Sequence, residues 1–152
     1  MTMRPKSIVN FERVVLFGIL INIVNSYLSW GKALAMMQAQ QQASGSPMRL
    51  GSGFLLTTEI VFVVIWLLLV WFISHKGSPV AKWIYVVLAL LTLAGAAFSF
   101  GKLASYGTVS LVLAIVQHLL TLVSLWLIFQ PDAKAWFSEG RTADPADTNP
   151  GF

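Results

Sequence analysis

The chain has no cysteine, which excludes disulfides, thiolate metal sites and thiol nucleophiles together. Charge is scarce too. Charged residues make up 11% of the 152 positions against 57% for the hydrophobic set, more apolar side chain than a water-soluble domain of this size needs. Signatures of catalysis are missing as well. No serine stands in a nucleophile elbow, no Gly-rich loop precedes a soluble helix, and no paired carboxylates or bis-histidine haem arrangement lie in an apolar run. The polar stretches are too short to fold a catalytic domain. The expectation is a protein that is not an enzyme and has no cofactor. The net charge is +4, but the basic residues are scattered at the ends of apolar runs, which speaks for membrane topology and against a nucleic-acid partner.

What is present is a set of long apolar runs. Residues 54–74, FLLTTEIVFVVIWLLLVWFIS, hold one ionisable side chain, Glu59, and as a helix cover about 32 Å, enough to cross hydrocarbon. Runs of similar length occupy 14–31, 83–101 and 107–129. The expected fold is therefore all-α: a single polytopic membrane domain, a four-helix bundle with short loops. Ala33-Leu34-Ala35 resembles a signal-peptide cleavage site, but Asn22 and Asn25 interrupt the apolar core before it and Lys32 adjoins it. The first run is accordingly expected to stay as an anchor. Good helix formers, among them Gln38, Gln40, Gln41 and Gln42, should carry the first helix beyond the lipid until Ser44-Gly45-Ser46-Pro47 stops it. Residues 102–106 make a tight hairpin between the third and fourth helices. Pro131 should open a short interfacial helix over 132–139 with Trp136 and Phe137 towards lipid, followed by a polar, disordered cytoplasmic tail over 140–152.

Orientation follows from Lys and Arg. Arg4, Lys6, Arg13, Lys76, Lys82, Lys134 and Arg141 fall on one side, and only Lys32, Arg49 and Lys102 on the other. The positive-inside bias places both termini in the cytoplasm of a multi-pass protein.

Function in such a chain has to reside in polar groups inside the spans. Gly18, Asn22, Asn25, Ser29 and Lys32 recur by three and four, as do Thr92, Gly95, Ser99 and Lys102, and Ser110, Ala114, Gln117, Thr121 and Ser124 with His118 beside them. Each set is one helix face. Packing alone explains small and polar stripes, because membrane helices use them for close approach and interhelical hydrogen bonds; the competing reading is a polar cavity. Glu59 cannot be left bare in hydrocarbon, and Lys32 or Lys102 is the expected partner. His118, near mid-membrane at the depth of Asn22, lacks companions for a metal site. The candidate polar site is thus Glu59, Lys102, Lys32, Asn22, Asn25, Gln117 and His118.

The lead Arg4-Pro5-Lys6-Ser7-Ile8 with Phe11-Glu12-Arg13, and the exit Pro131-Asp132-Ala133-Lys134-Ala135-Trp136-Phe137, resemble small four-span bacterial inner-membrane proteins of unassigned function. That resemblance implies a bacterial plasma membrane and carries no activity with it. Small multidrug transporters also have four short spans, but their signature acid lies in the first helix, where this chain has Asn22 and Asn25. Two functions remain. One is a non-enzymatic membrane protein acting through helix–helix association, as a homo-oligomer or an accessory subunit of a membrane complex. The other is a small oligomeric transporter or channel using Glu59 as coupling or selectivity residue.

Overall fold

The computed structural model describes residues 4–45, 51–103 and 107–142, with the side chains of 98–103 and 139–142 left aside. It is all-helical over these residues: α1 (Lys6–Ser44), α2 (Ser52–Lys76), α3 (Pro79–Leu103), α4 (Thr108–Ile128) and α5 (Pro131–Thr142). The first four are each long and apolar enough to cross a membrane. Each packs on its neighbour in sequence and α1 closes the ring on α4, the most extensive pairing. The result is an up-down-up-down bundle with the described ends of the chain at one end of it.

Helix limits exceed the apolar runs because hydropathy marks the lipid and not the helix. Lys, Arg and Glu are good helix formers, so α1 starts at Lys6 and, at 39 residues, is about 58 Å long. Gly45 ends it in the left-handed region with φ 62°. Gly77, φ 58°, ends α2, and the Ser78 amide returns to the Phe72 carbonyl at 3.3 Å. Ser78 then caps α3, its hydroxyl accepting from the Ala81 amide at 3.3 Å, with Pro79 in the first turn. Residues 104–106 of the expected hairpin, and 143–152 of the expected tail, lie outside the described residues.

Packing is concentrated at the end that holds the described ends of the chain. Ile8, Phe11 and Val15 of α1 meet Trp66, Val70 and Ile73 of α2, Tyr85 and Ala89 of α3, and Leu127 and Ile128 of α4. Tyr85 is the hub: its ring stands edge-on to Phe11 at 5.0 Å and to Trp66 at 5.1 Å. Its hydroxyl donates to Ser124 Oγ, which itself donates to the Thr121 carbonyl.

The short last helix corrects one expectation. Phe137 does not face lipid: it is 4% exposed and belongs to the core, together with Ala133. Trp136, half-buried, donates its indole N–H to the Ile73 carbonyl at 3.0 Å, and a Cβ on Gly77 would come within 3.0 Å of the Trp136 carbonyl. α5 is thus folded across the end of the bundle. The reason is the unsatisfied backbone of helix ends: Trp136 serves the C-terminal turn of α2, and Asp132 accepts the first-turn amide of Ser7 on α1 at 3.2 Å. Desolvation pushes the Asp132 carboxyl up, but hydrogen bonds from Ser7 and from backbone amides, that of Ala133 among them, outweigh it and hold the group below its ordinary value. Nearby, Arg4 pairs with Glu12 at 2.6 Å.

Candidate functional site

The stripes on α1 and α4 face each other. Gly18 is buried, and a Cβ there would sit 3.2 Å from Gln117 Nε2, so the Gln117 amide lies against the bare backbone of α1. Further from the packed end, the Ser29 and Ser110 hydroxyls are 2.9 Å apart. Further still, Lys32 Nζ would be 3.2 Å from a Cβ on Gly107. Small residues let these two helices approach, and their hydroxyls bond across the gap, as hydrocarbon favours. The α3 stripe behaves otherwise. A Cβ on Gly95 would meet nothing within 4 Å, so that glycine does not serve close approach, and Ser99 lies among the side chains left aside.

Glu59 finds a partner that charge alone does not suggest. Asn22 donates Nδ2–H to Glu59 Oε1 at 2.7 Å. Lys32 lies ten positions beyond Asn22 on α1, about 15 Å along the axis, and its ammonium is at the start of α4. The Lys102 side chain lies outside the described residues. Asn22 reaches Glu59 because the stripe on α1 and Glu59 on α2 meet at one level, and an amide donor satisfies a carboxyl there without bringing a second charge into hydrocarbon. Asn25 accepts a long bond from the Ser29 hydroxyl, 3.5 Å, on its own helix.

Asn22, Gln117 and His118 come together around a cavity of about 120 Å³ between the four helices. Sequence reasoning did not include Thr92, Thr121, Ser124 and Tyr85, which line it too; three of them were read as stripe residues, and the Tyr85 hydroxyl gave no periodic signal. Gln117 Oε1 is buried with no hydrogen-bond partner. His118 Nδ1 bonds the Ala114 carbonyl one turn back, which places its proton on Nδ1 and leaves Nε2, in the neutral ring, as an acceptor. Of the expected site residues, then, Asn22, Glu59, Gln117 and His118 form one cluster, while Asn25 and Lys32 lie further along α1. Among the described residues no three His, Asp or Glu side chains converge as a metal site.

Protein-family models, curated proteins and solved structures yield no match to this chain. What the geometry establishes is an all-helical bundle, four of whose helices are long and apolar enough to cross a membrane, with a polar cluster among the described residues of its interior.

Proposed function

We propose that this is a non-enzymatic integral membrane protein that acts by helix–helix association, as a homo-oligomer or as an accessory subunit of a membrane complex. The bacterial inner membrane, with both termini cytoplasmic, is the setting favoured by the end segments and the distribution of lysine and arginine. One observation carries the reading. Asn25 lies inside the first apolar run, half-buried, and among the described residues nothing accepts its amide N–H groups. Tyr27, two residues on, is 80% exposed. An unpaired amide in hydrocarbon seeks an acceptor, and a second helix supplies one. The test is oligomeric state in lipid nanodiscs or by cross-linking in native membranes. Asn25→Val should weaken self-association or partner capture about three- to tenfold, and an unchanged distribution would count against it.

The interior cluster supports a second reading, a small oligomeric transporter or channel with Glu59 as the coupling residue. Flux in liposomes that Glu59→Gln abolishes would favour it over the first. Absence of flux in the unmodified protein would end it.

A further inference from the structure

Lys82 is held where its charge has no counterion. It stands in the first turn of α3, one residue before the apolar run that opens at Trp83, and is half-buried. Its ammonium lies over the Phe129 ring at 4.7 Å, the Phe137 ring at 4.8 Å and the Trp83 ring at 5.8 Å. Rings from the end of α4, from α5 and from α3 itself thus fix its position. A ring face attracts a cation but gives its N–H groups no oxygen. Lys134 of α5, exposed, is near enough for its charge to repel that of Lys82. Each acid whose side chain is described is committed elsewhere: Glu12 to Arg4, Glu59 to Asn22, and Asp132 to the Ser7 and Ala133 amides. Two ammonium groups therefore stand together, one of them half-buried, and disfavour each other until an anion comes between them.

Position names the anion. Lys82 lies just before one apolar run and Phe129 closes another, so the pair sits at the edge of the hydrocarbon, the level of lipid phosphates. Trp83 and Trp126, both exposed, mark the same level, as indoles do at a membrane interface. Trp83 and Val87, one turn apart and both exposed, share a face of α3 that runs from the pair into the hydrocarbon. We propose that Lys82 and Lys134 form a binding site for an anionic phospholipid, its phosphate bridging the two ammonium groups and its acyl chains lying on the Trp83 and Val87 face of α3. The rings beneath Lys82 already hold it in place, which lowers the ordering cost of binding. A choline headgroup would bring a third cation to the pair, so the site selects a lipid with net negative charge. Binding here holds whether the protein associates or transports, and its failure leaves the association reading at Asn25 untouched.

The experiment takes the full chain in a non-ionic detergent at neutral pH and titrates it with dioctanoyl phosphatidylglycerol, with dioctanoyl phosphatidylcholine as the control. It reads the rise in Tm and, by native mass spectrometry, the lipid retained. Phosphatidylglycerol should bind saturably and about tenfold more tightly than phosphatidylcholine. Lys134→Gln and Lys82→Met should each weaken it about fivefold. Lys82→Met keeps the stem against the rings and removes the charge, and Lys82→Arg should retain binding. Lys76→Gln removes a charge from the same end of the bundle, where the ammonium lies over Trp71 of α2, and should leave the affinity unchanged. Because Lys134 is exposed, Lys134→Gln decides if Lys82→Met does not fold; undiminished binding there overturns the proposal. Equal affinity for the two lipids overturns it too. So does a loss in Lys76→Gln as large as in Lys134→Gln, which would mean a diffuse field of charge and no site. An equal rise in Tm with inorganic phosphate at the same concentration would assign the pair to free phosphate and overturn the lipid.

Discussion

The two ends of this bundle are built differently. At the end nearer the described termini, aromatic rings and β-branched side chains interdigitate around Tyr85, and α5 closes over them. Towards the other end, α1 has no buried residue after Gly18 and α2 none before Trp66; contact there runs along thin polar seams such as Ser29 with Ser110. In hydrocarbon, apolar exposure costs nothing, so an end without jigsaw packing gains little from its leucines and depends on its hydrogen bonds. One end is therefore the rigid foundation. The other is where helices are free to adjust or to accept a partner.

Truncation should separate the ends most clearly. Phe11→Ala removes a fully buried ring from the Tyr85 cluster and should cost about 3 kcal/mol; Leu28→Ala, at a site 54% exposed, should cost less than about 0.5 kcal/mol. Reversible unfolding in mixed micelles measures both, and similar losses would erase the distinction. Next in size is Gly77→Ala. Its φ of 58° disfavours any side chain by about 1–2 kcal/mol, and the Trp136 carbonyl adds a clash, so about 2 kcal/mol is expected, with α5 released. Intact hydrogen-exchange protection in α5 of the variant would show that its docking does not depend on that turn.

Gly18→Ala tests the seam at the boundary between the ends. The added Cβ would meet the Gln117 amide at 3.2 Å, a contact the side chain relieves by shifting a few tenths of an ångström. A cost of about 1 kcal/mol is expected, together with weaker cross-linking between α1 and α4. A larger loss would mean that Gln117 is held more firmly than a flexible side chain facing a cavity should be.

These differences bear on what sequence can convey. The four spans were legible because twenty apolar residues in a row have few other uses, and the α1 and α4 stripes were legible because spacing by three and four marks one face. Periodicity does not say which faces meet. Gly95 shares its stripe with Thr92 yet touches nothing, whereas Gly18 receives Gln117. Nor does charge counting bring out the Asn22 amide beside Glu59, which the register between α1 and α2 sets at the same level. α5 was misread for a related reason. Trp and Phe beside a proline suit an interface, but the open carbonyls of α2 and the open amides of α1 offered Trp136 and Asp132 better partners than headgroups do.

The smallest effect concerns that last docking. Asp132 accepts from Ser7 and Ala133, and its carboxyl is held below its ordinary value. A depressed folded-state value means that the ionised form is favoured by folding. Its contribution is complete above the ordinary carboxylate value near 3.9 and disappears as pH falls through the lower, folded one. Because the group is exposed, the contribution is small. Asp132→Asn keeps an acceptor oxygen and removes the charge, so the stability gap between the two proteins should be constant at neutral pH and close on acidification below about pH 4. Trp136 fluorescence follows α5 directly. A gap that persists at low pH would assign the cap to shape and not to charge, and would make the foundation of the bundle insensitive to acid at the Asp132 contact that ties α5 to α1.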